Sequence, residues 1–126
     1  MTKKPLTRTI AGRKLVVDVE LGVDPETNEE TVSLAELQRA EVEMAAVLAD
    51  TGPINGESFA WMRKSLGLQS KQLAHLLDVR PETVTRWENA AVPVDRAAWL
   101  TLGELVLERA NRPRDLKQRM ERLAAE

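Results

Sequence analysis

The chain of 126 residues has no cysteine. Disulfides and thiolate zinc sites are therefore excluded, and the composition fits a cytoplasmic protein. It has one histidine, His75, which is expected on a helix surface rather than as a catalyst or ligand. There is no glycine-rich phosphate loop and no nucleophile–histidine–acid set, so no enzymatic reading is supported. Asp24, Glu26, Glu29 and Glu30 cluster, but the glycine and the spacing of a calcium loop are missing, and a solvated turn is expected there. No metal and no cofactor is expected. No apolar run approaches the ~18 residues of a membrane span. The first lysines are followed by no long apolar stretch, so no secretory signal is expected. Internal repeats and low-complexity segments are also missing.

What is present is a balanced composition, 43% hydrophobic and 30% charged, as in soluble globular chains. The length allows one ordinary domain or two small ones. The net charge of −2 is unevenly spread. Residues 1–52 carry 6 basic and 10 acidic side chains, residues 53–95 carry 5 of each, and residues 96–126 carry 7 and 5.

Along the chain, Thr7–Ile10 suggests a short strand turned by Ala11-Gly12. Leu15, Val17, Val19, Leu21 and Val23 then alternate with Lys14, Val16, Asp18, Glu20 and Gly22, the period-two mark of a strand with one buried face. Residues 24–28 read as a turn. Ser33 and Glu36 have capping-box spacing, with Val32 and Leu37 placed as a hydrophobic staple. The helix that follows carries Leu37, Ala40, Met44, Val47 and Leu48 on one face and stops at Thr51-Gly52-Pro53. Asn55 can cap a next helix. From there the pattern predicts helices over 56–66, 70–77, 81–89, 95–110 and 113–125, the last with Pro113 in its first turn. The fold class expected is mainly α, a helix-turn-helix bundle with a small N-terminal β-hairpin plus helix. Three parts are expected: 1–52, a small α+β domain; 53–110, a helical domain; and 111–126, a helix offered for dimerisation.

Residues 69–88 carry the chemistry. Ala74 is small where a second helix must cross, Val79 is an apolar plug for the turn, and Val84 with Trp87 forms an inward stripe. Leu73, Leu77, Phe59, Met62, Leu66 and Leu68 complete a core. Trp87 reads as core rather than as a base-stacking side chain. With those faces buried, Glu82, Thr83 and Arg86 are left on the outer face near the start of the 81–89 helix. A helix start of that kind reaches base edges in the major groove. Arg86 suits a bidentate contact to guanine, and Glu82 can accept from cytosine. Ser70, Lys71, Arg80 and Thr85 are placed for phosphates. The bland reading of Glu82 and Arg86 is an exposed ion pair spaced i, i+4. DNA binding asks for a local basic face, so the overall acidity is no obstacle.

Leu66-Gly67-Leu68, Gln72-Leu73-Ala74, Leu77, Val79, Thr83-Val84 and Arg86-Trp87-Glu88 resemble the Xre/Cro-type helix-turn-helix family of repressors. The likeness covers about a third of the chain. Gln69-Ser70 stands where that family usually has Ser or Thr then Gln, Asp78 where it has a turn glycine, and Arg80 where it has a serine cap. The order of β segment, helix and helix-turn-helix also resembles the MqsA-like (YgiT-type) antitoxins and regulators, with the run from Asp24 to Glu30 standing where their zinc cysteines would be. These resemblances imply a DNA-binding transcriptional regulator, a repressor and more narrowly an antitoxin that represses its own operon and binds a toxin. The alternative is a protein-interaction module that docks partners on its helical domain.

A single helix-turn-helix reads one half-site, so a homodimer on double-stranded DNA with a palindromic operator is expected. Trp99, Leu102, Leu105 and Val106, then Leu116, Met120 and Leu123, are two apolar stripes offered for that dimer. The competing reading has the last helix fold back and bury the stripe in its own chain. Trp61 packs on the N-terminal half or on the partner subunit. The arginines at 109, 112, 114, 119 and 122 form either a phosphate-facing tail or a solvated helix face.

Overall fold

The computed structural model describes residues 2–124. Strands β1 (Thr2–Ile10) and β2 (Arg13–Val23) form an antiparallel hairpin with Ile10 opposite Arg13 and Leu6 opposite Val17. Ala11 and Gly12 turn it with φ of 52° and 77°, both left-handed, as a two-residue turn matched to strand twist requires. β1 starts at Thr2, earlier than the expected Thr7, because the backbone ladder continues where Lys3-Lys4-Pro5 breaks the side-chain alternation. A short β3 (Glu30–Thr31) pairs with Gly22 and Val23. Two residues carry no periodicity, so sequence could not announce it. The acidic turn between β2 and β3 closes on itself: the Asn28 amide donates to the Asp24 carbonyl (2.8 Å), and the Glu26 amide to the Asp24 carboxylate (2.8 Å).

Helix α1 (Leu34–Thr51) packs on β2. The expected stripe is too narrow: Ala40, Val42, Met44, Ala45, Ala46, Leu48 and Ala49 are all buried, because the hairpin and three helices surround α1. Only half of the capping box forms. Ser33 Oγ accepts from the Glu36 amide (3.1 Å), but the Glu36 carboxylate reaches the sheet instead, where it accepts from the Glu20 amide (2.8 Å). Arg39 donates to Glu36 (2.8 Å) and to the Asp18 carbonyl (2.7 Å). These two side chains thus satisfy backbone groups on the β2 edge that β3 leaves open. At the other end of α1, Gly52 has φ 73° and donates its amide to Leu48 (2.8 Å). Arg13 ties the hairpin to this end through Thr51 Oγ1 (2.6 Å) and the Gly52 carbonyl (2.7 Å).

Five helices follow: α2 (Gly56–Ser65), α3 (Ser70–Leu77), α4 (Pro81–Glu88), α5 (Arg96–Arg109) and α6 (Leu116–Leu123). The structure is thus mainly helical with a small N-terminal sheet, and the sequence pattern located each helix to within a few residues. Asn55, Asp95 and Asp115 cap α2, α5 and α6 by accepting from Ser58, Ala98 and Gln118 amides. Asp115 takes that role in place of the expected start at Pro113, which lies before the helix. Among the described residues no helix is long and apolar enough to cross a membrane.

α5 runs between α1, α2 and α6, and Trp99, Leu102 and Val106 are fully buried inside the chain. The stripe offered for a dimer is therefore covered internally. Of the second stripe, Leu123 is buried, while Leu116 and Met120 stay 41% and 49% exposed. α6 folds back through Arg119, which is fully buried. Its guanidinium donates to Glu104 (2.5 Å), the Leu100 carbonyl (3.1 Å) and the Ala49 carbonyl (3.4 Å). Burial pulls its pKa below the ordinary arginine value, and Glu104 and Asp50 oppose that pull. Gly103 is required beneath it: a Cβ there would run into the guanidinium and lie 3.3 Å from Ala49 Cβ. Arg112 pairs with Glu43 (2.7 Å), Arg114 with Glu108 (3.5 Å) and Arg122 with Asp50 (3.1 Å). Most of the arginines read as a tail or a solvated face are thus bound to carboxylates of their own chain.

The hairpin's seat on α1 has a pH signature. Arg39 and the Glu20 amide hold the Glu36 carboxyl down, from an ordinary 4.5 to about 2. A depressed carboxylate contributes stability above its unfolded pKa and loses it as pH falls through the folded one. The difference in melting temperature between wild type and Glu36→Ala is therefore expected to be constant above pH 5 and to shrink from pH 4.5 towards pH 2. Melting curves across that range check it; a gap that widens on acidification contradicts it.

Candidate nucleic-acid interface

The α3–α4 unit is held from behind. Phe59 of α2 and Trp87 of α4 meet edge to face, with ring centroids 5.7 Å apart and planes at 76°. Such a pair contributes roughly 0.5–1.5 kcal/mol beyond the area it buries. Phe59, Met62, Leu73, Ala74 and Val84 are fully or almost fully buried, and Val79 with Leu77 packs at the margin. Trp87 is thus a core residue. Gly56 sits so close to the Trp87 and Glu88 carbonyls that any Cβ would collide with backbone. The N-terminus of α2 therefore abuts the C-terminus of α4, which opposes the positive end of one helix dipole to the negative end of the other.

Arg63 and Glu88 lock this arrangement. Arg63 Nε and Nη2 donate to the two Glu88 oxygens at 2.7 and 2.8 Å, and Nη1 donates to the Leu68 carbonyl at 2.8 Å. Both side chains are only 11% exposed. Sequence reading gave Glu88 no role and missed Arg63. A signal was present: Arg63 follows Phe59 by four residues, and Glu88 follows Val84 by four, so opposite charges lie on inward faces of two helices.

The α3–α4 turn is a left-handed step. Asp78 has φ 56° and ψ 45°, and the Val79 amide donates to the Ala74 carbonyl (2.9 Å). That conformation explains why glycine suits the position. α3 opens with the Gln69 amide donating to Gln72 Oε1 (2.7 Å), and Pro81 takes the first position of α4.

The residues selected from sequence occupy α3, α4 and the turn that joins them. Glu82, Thr85 and Arg86 are exposed on α4, and Thr83 is half-buried. Thr85 Oγ1 donates to the Pro81 carbonyl (3.2 Å). Ser70, half-buried, and Lys71, exposed, open α3, while Arg80 is exposed just before α4. Glu82 and Arg86 do not form the i, i+4 ion pair, and Lys71, Arg80 and Arg86 have no carboxylate partner among the described residues. His75 is exposed on α3. Trp61 packs on the N-terminal half, its indole N–H donating to the Glu41 carbonyl (3.3 Å).

Removing Glu88 leaves Arg63 buried with a single carbonyl acceptor. Glu88→Ala is expected to cost about 3–5 kcal/mol of folding stability, the usual consequence of orphaning one partner of a buried pair. Urea titration measures this; a loss under about 1 kcal/mol contradicts the clamp.

Comparison with curated proteins and with solved structures gives no match. Residues 59–95 match the family model described as Helix-turn-helix. That segment runs from Phe59 at the back of the clamp to Asp95 at the cap of α5 and holds the α3–α4 pair, so the matched part of the chain is a helix-turn-helix.

Proposed function

We propose that this chain is a cytoplasmic, sequence-specific DNA-binding transcriptional regulator acting as a repressor. The observation that carries the reading is the pairing of a rigidly backed α4 with an outer face whose Arg86 and Glu82 are exposed and free of each other. A side chain already committed to an ion pair must lose it before it reads a base. In this reading α4 enters the major groove, Arg86 donates two hydrogen bonds to a guanine, Glu82 accepts from a cytosine, and Thr83 lies against a neighbouring base edge. Ser70, Lys71, Arg80 and Thr85 fix the register on phosphates. Residues 53–110 act as the DNA-binding unit.

A homodimer bound to a palindrome completes the proposal, with half-sites about 34 Å apart or a multiple of that. Since the α5 stripe is internal, the exposed pair Leu116 and Met120 on α6 is the apolar surface offered to a second copy. The finer reading is an autoregulating antitoxin. It rests on the order of hairpin, helix and helix-turn-helix, with a toxin as the second partner.

Operator selected from a random-sequence duplex pool supplies the probe. Arg86→Ala is expected to lose about 1–3 kcal/mol of specific binding and to relax preference at one base position. Lys71→Ala should weaken all duplexes nearly equally and flatten the salt slope. Unchanged operator affinity in Arg86→Ala contradicts the docking of α4. Sedimentation at micromolar concentration is expected to give a dimer. A clean monomer with intact operator binding contradicts both the dimer and the palindrome.

A further inference from the structure

The helix-turn-helix is poor in available cations. Of the five basic residues between 53 and 95, Arg63 is neutralised by Glu88. Lys64, Lys71, Arg80 and Arg86 remain, against Glu57, Asp78, Glu82 and Asp95. The arginines of α6 and the segment before it are engaged with Glu43, Glu104, Glu108 and Asp50. The hairpin is the opposite case. Residues 2–23 carry four basic side chains besides Arg13, which is tied to α1, or five in all, against Asp18 and Glu20, although residues 1–52 as a whole are acidic. Lys3, Lys4, Arg8 and Lys14 have no carboxylate partner within ion-pair distance among the described residues.

The tip of this hairpin is seated beside α4. Thr9 and Ile10 line a shallow cavity of about 380 Å³ together with Glu57 and Lys64 of α2 and with Glu88 and Asn89 at the end of α4. Lys14 is the cross-strand partner of Thr9, so the two side chains share one sheet face, and both are exposed. α4 has eight residues and is about 12 Å long, close to the width of the major groove at about 12 Å. A helix of that length in the groove brings groups beside its C-terminal end to a phosphate strand. Of the acids there, Glu88 is held by Arg63, leaving Glu57 exposed.

We infer that the hairpin tip is a second DNA-contacting element, a wing on which Lys14, across the strand pair from the Thr9 that shares a cavity with Lys64 and Asn89, holds together with those two residues the phosphate backbone flanking the site read by α4. The inference rests on the DNA-binding reading and extends it to a part of the chain outside the helix-turn-helix. The contact is to phosphate and carries no base preference, so it raises affinity for any duplex.

The test uses the full chain and a fluorescein-labelled 30-base-pair duplex of mixed sequence, titrated at several salt concentrations. Removing one phosphate-bound cation should make the slope of log affinity against log salt shallower by about 0.9. Lys14→Ala and Lys64→Ala are expected each to give that change, and the double variant about twice it. Lys117→Ala, on α6, is expected to leave the slope alone. All these substitutions, with Lys71→Ala, are at exposed positions, and unchanged thermal melts confirm the fold. A wild-type slope in the double variant, with a shallower one in Lys71→Ala, overturns the wing and leaves the helix-turn-helix reading in place. It would also point the basic hairpin to an acidic protein surface. Wild-type protein that fails to bind the duplex at any salt overturns both.

Discussion

The bidentate pair between Arg63 and Glu88 is the constraint on which the interface depends. It joins α2 to the last residue of α4 and also fixes the α2–α3 connection through the Leu68 carbonyl. A buried ion pair adds little net stability compared with a well-packed apolar pair of the same size, because desolvating two charges is costly. Its value here is geometric. Phe59 and Trp87 set the distance between the helices, and Gly56 lets the end of α4 close on α2. The fork of Arg63 sets the rotation of α4 about its axis. That rotation turns Val84 and Trp87 inward and leaves Glu82 and Arg86 outside.

A second buried arginine does comparable work at the far side of the molecule. Arg119 links α6 to α1 and α5 through one carboxylate and two carbonyls, over a glycine that leaves space for it. The core runs from Ile10 in the hairpin to Leu123 in α6 without a break. The hairpin therefore rides on the same packed body as α4 rather than on a tether. This matters for the electrostatics. The internal ion pairs consume most of the arginines near the C-terminal helix, and the free positive charge gathers on α3–α4 and on the hairpin.

The features legible in sequence were those written as local periodicity. Alternation found β2, the 3.6-residue stripes found the helices, and the Ala74, Val79, Val84 and Trp87 pattern found the helix-turn-helix. The Gly52 stop and the Asn55 cap were readable because each acts within a few residues of itself. What stayed hidden depends on contacts distant in sequence. The Glu36 carboxylate looked like the returning half of the Ser33 capping box and serves the β2 edge instead. Arg119 looked like one of a row of surface arginines and lies in the core. The α5 stripe looked surplus because nothing local shows that α1 and α6 close over it. Asp78 was readable as a departure from glycine, but only the structure shows the left-handed backbone that makes glycine the natural residue there.

The most direct test of the central claim follows the backbone amides of the whole chain by nuclear magnetic resonance while duplex is added. The surface held by the Arg63–Glu88 clamp is expected to respond first. Large shifts should fall on Ser70, Lys71 and the stretch from Arg80 to Arg86, with a second group at the hairpin tip around Thr9 and Lys14, while amides on α6 move little. Shifts confined to α1, α5 or α6, with the α4 amides unmoved at saturating duplex, would contradict the account.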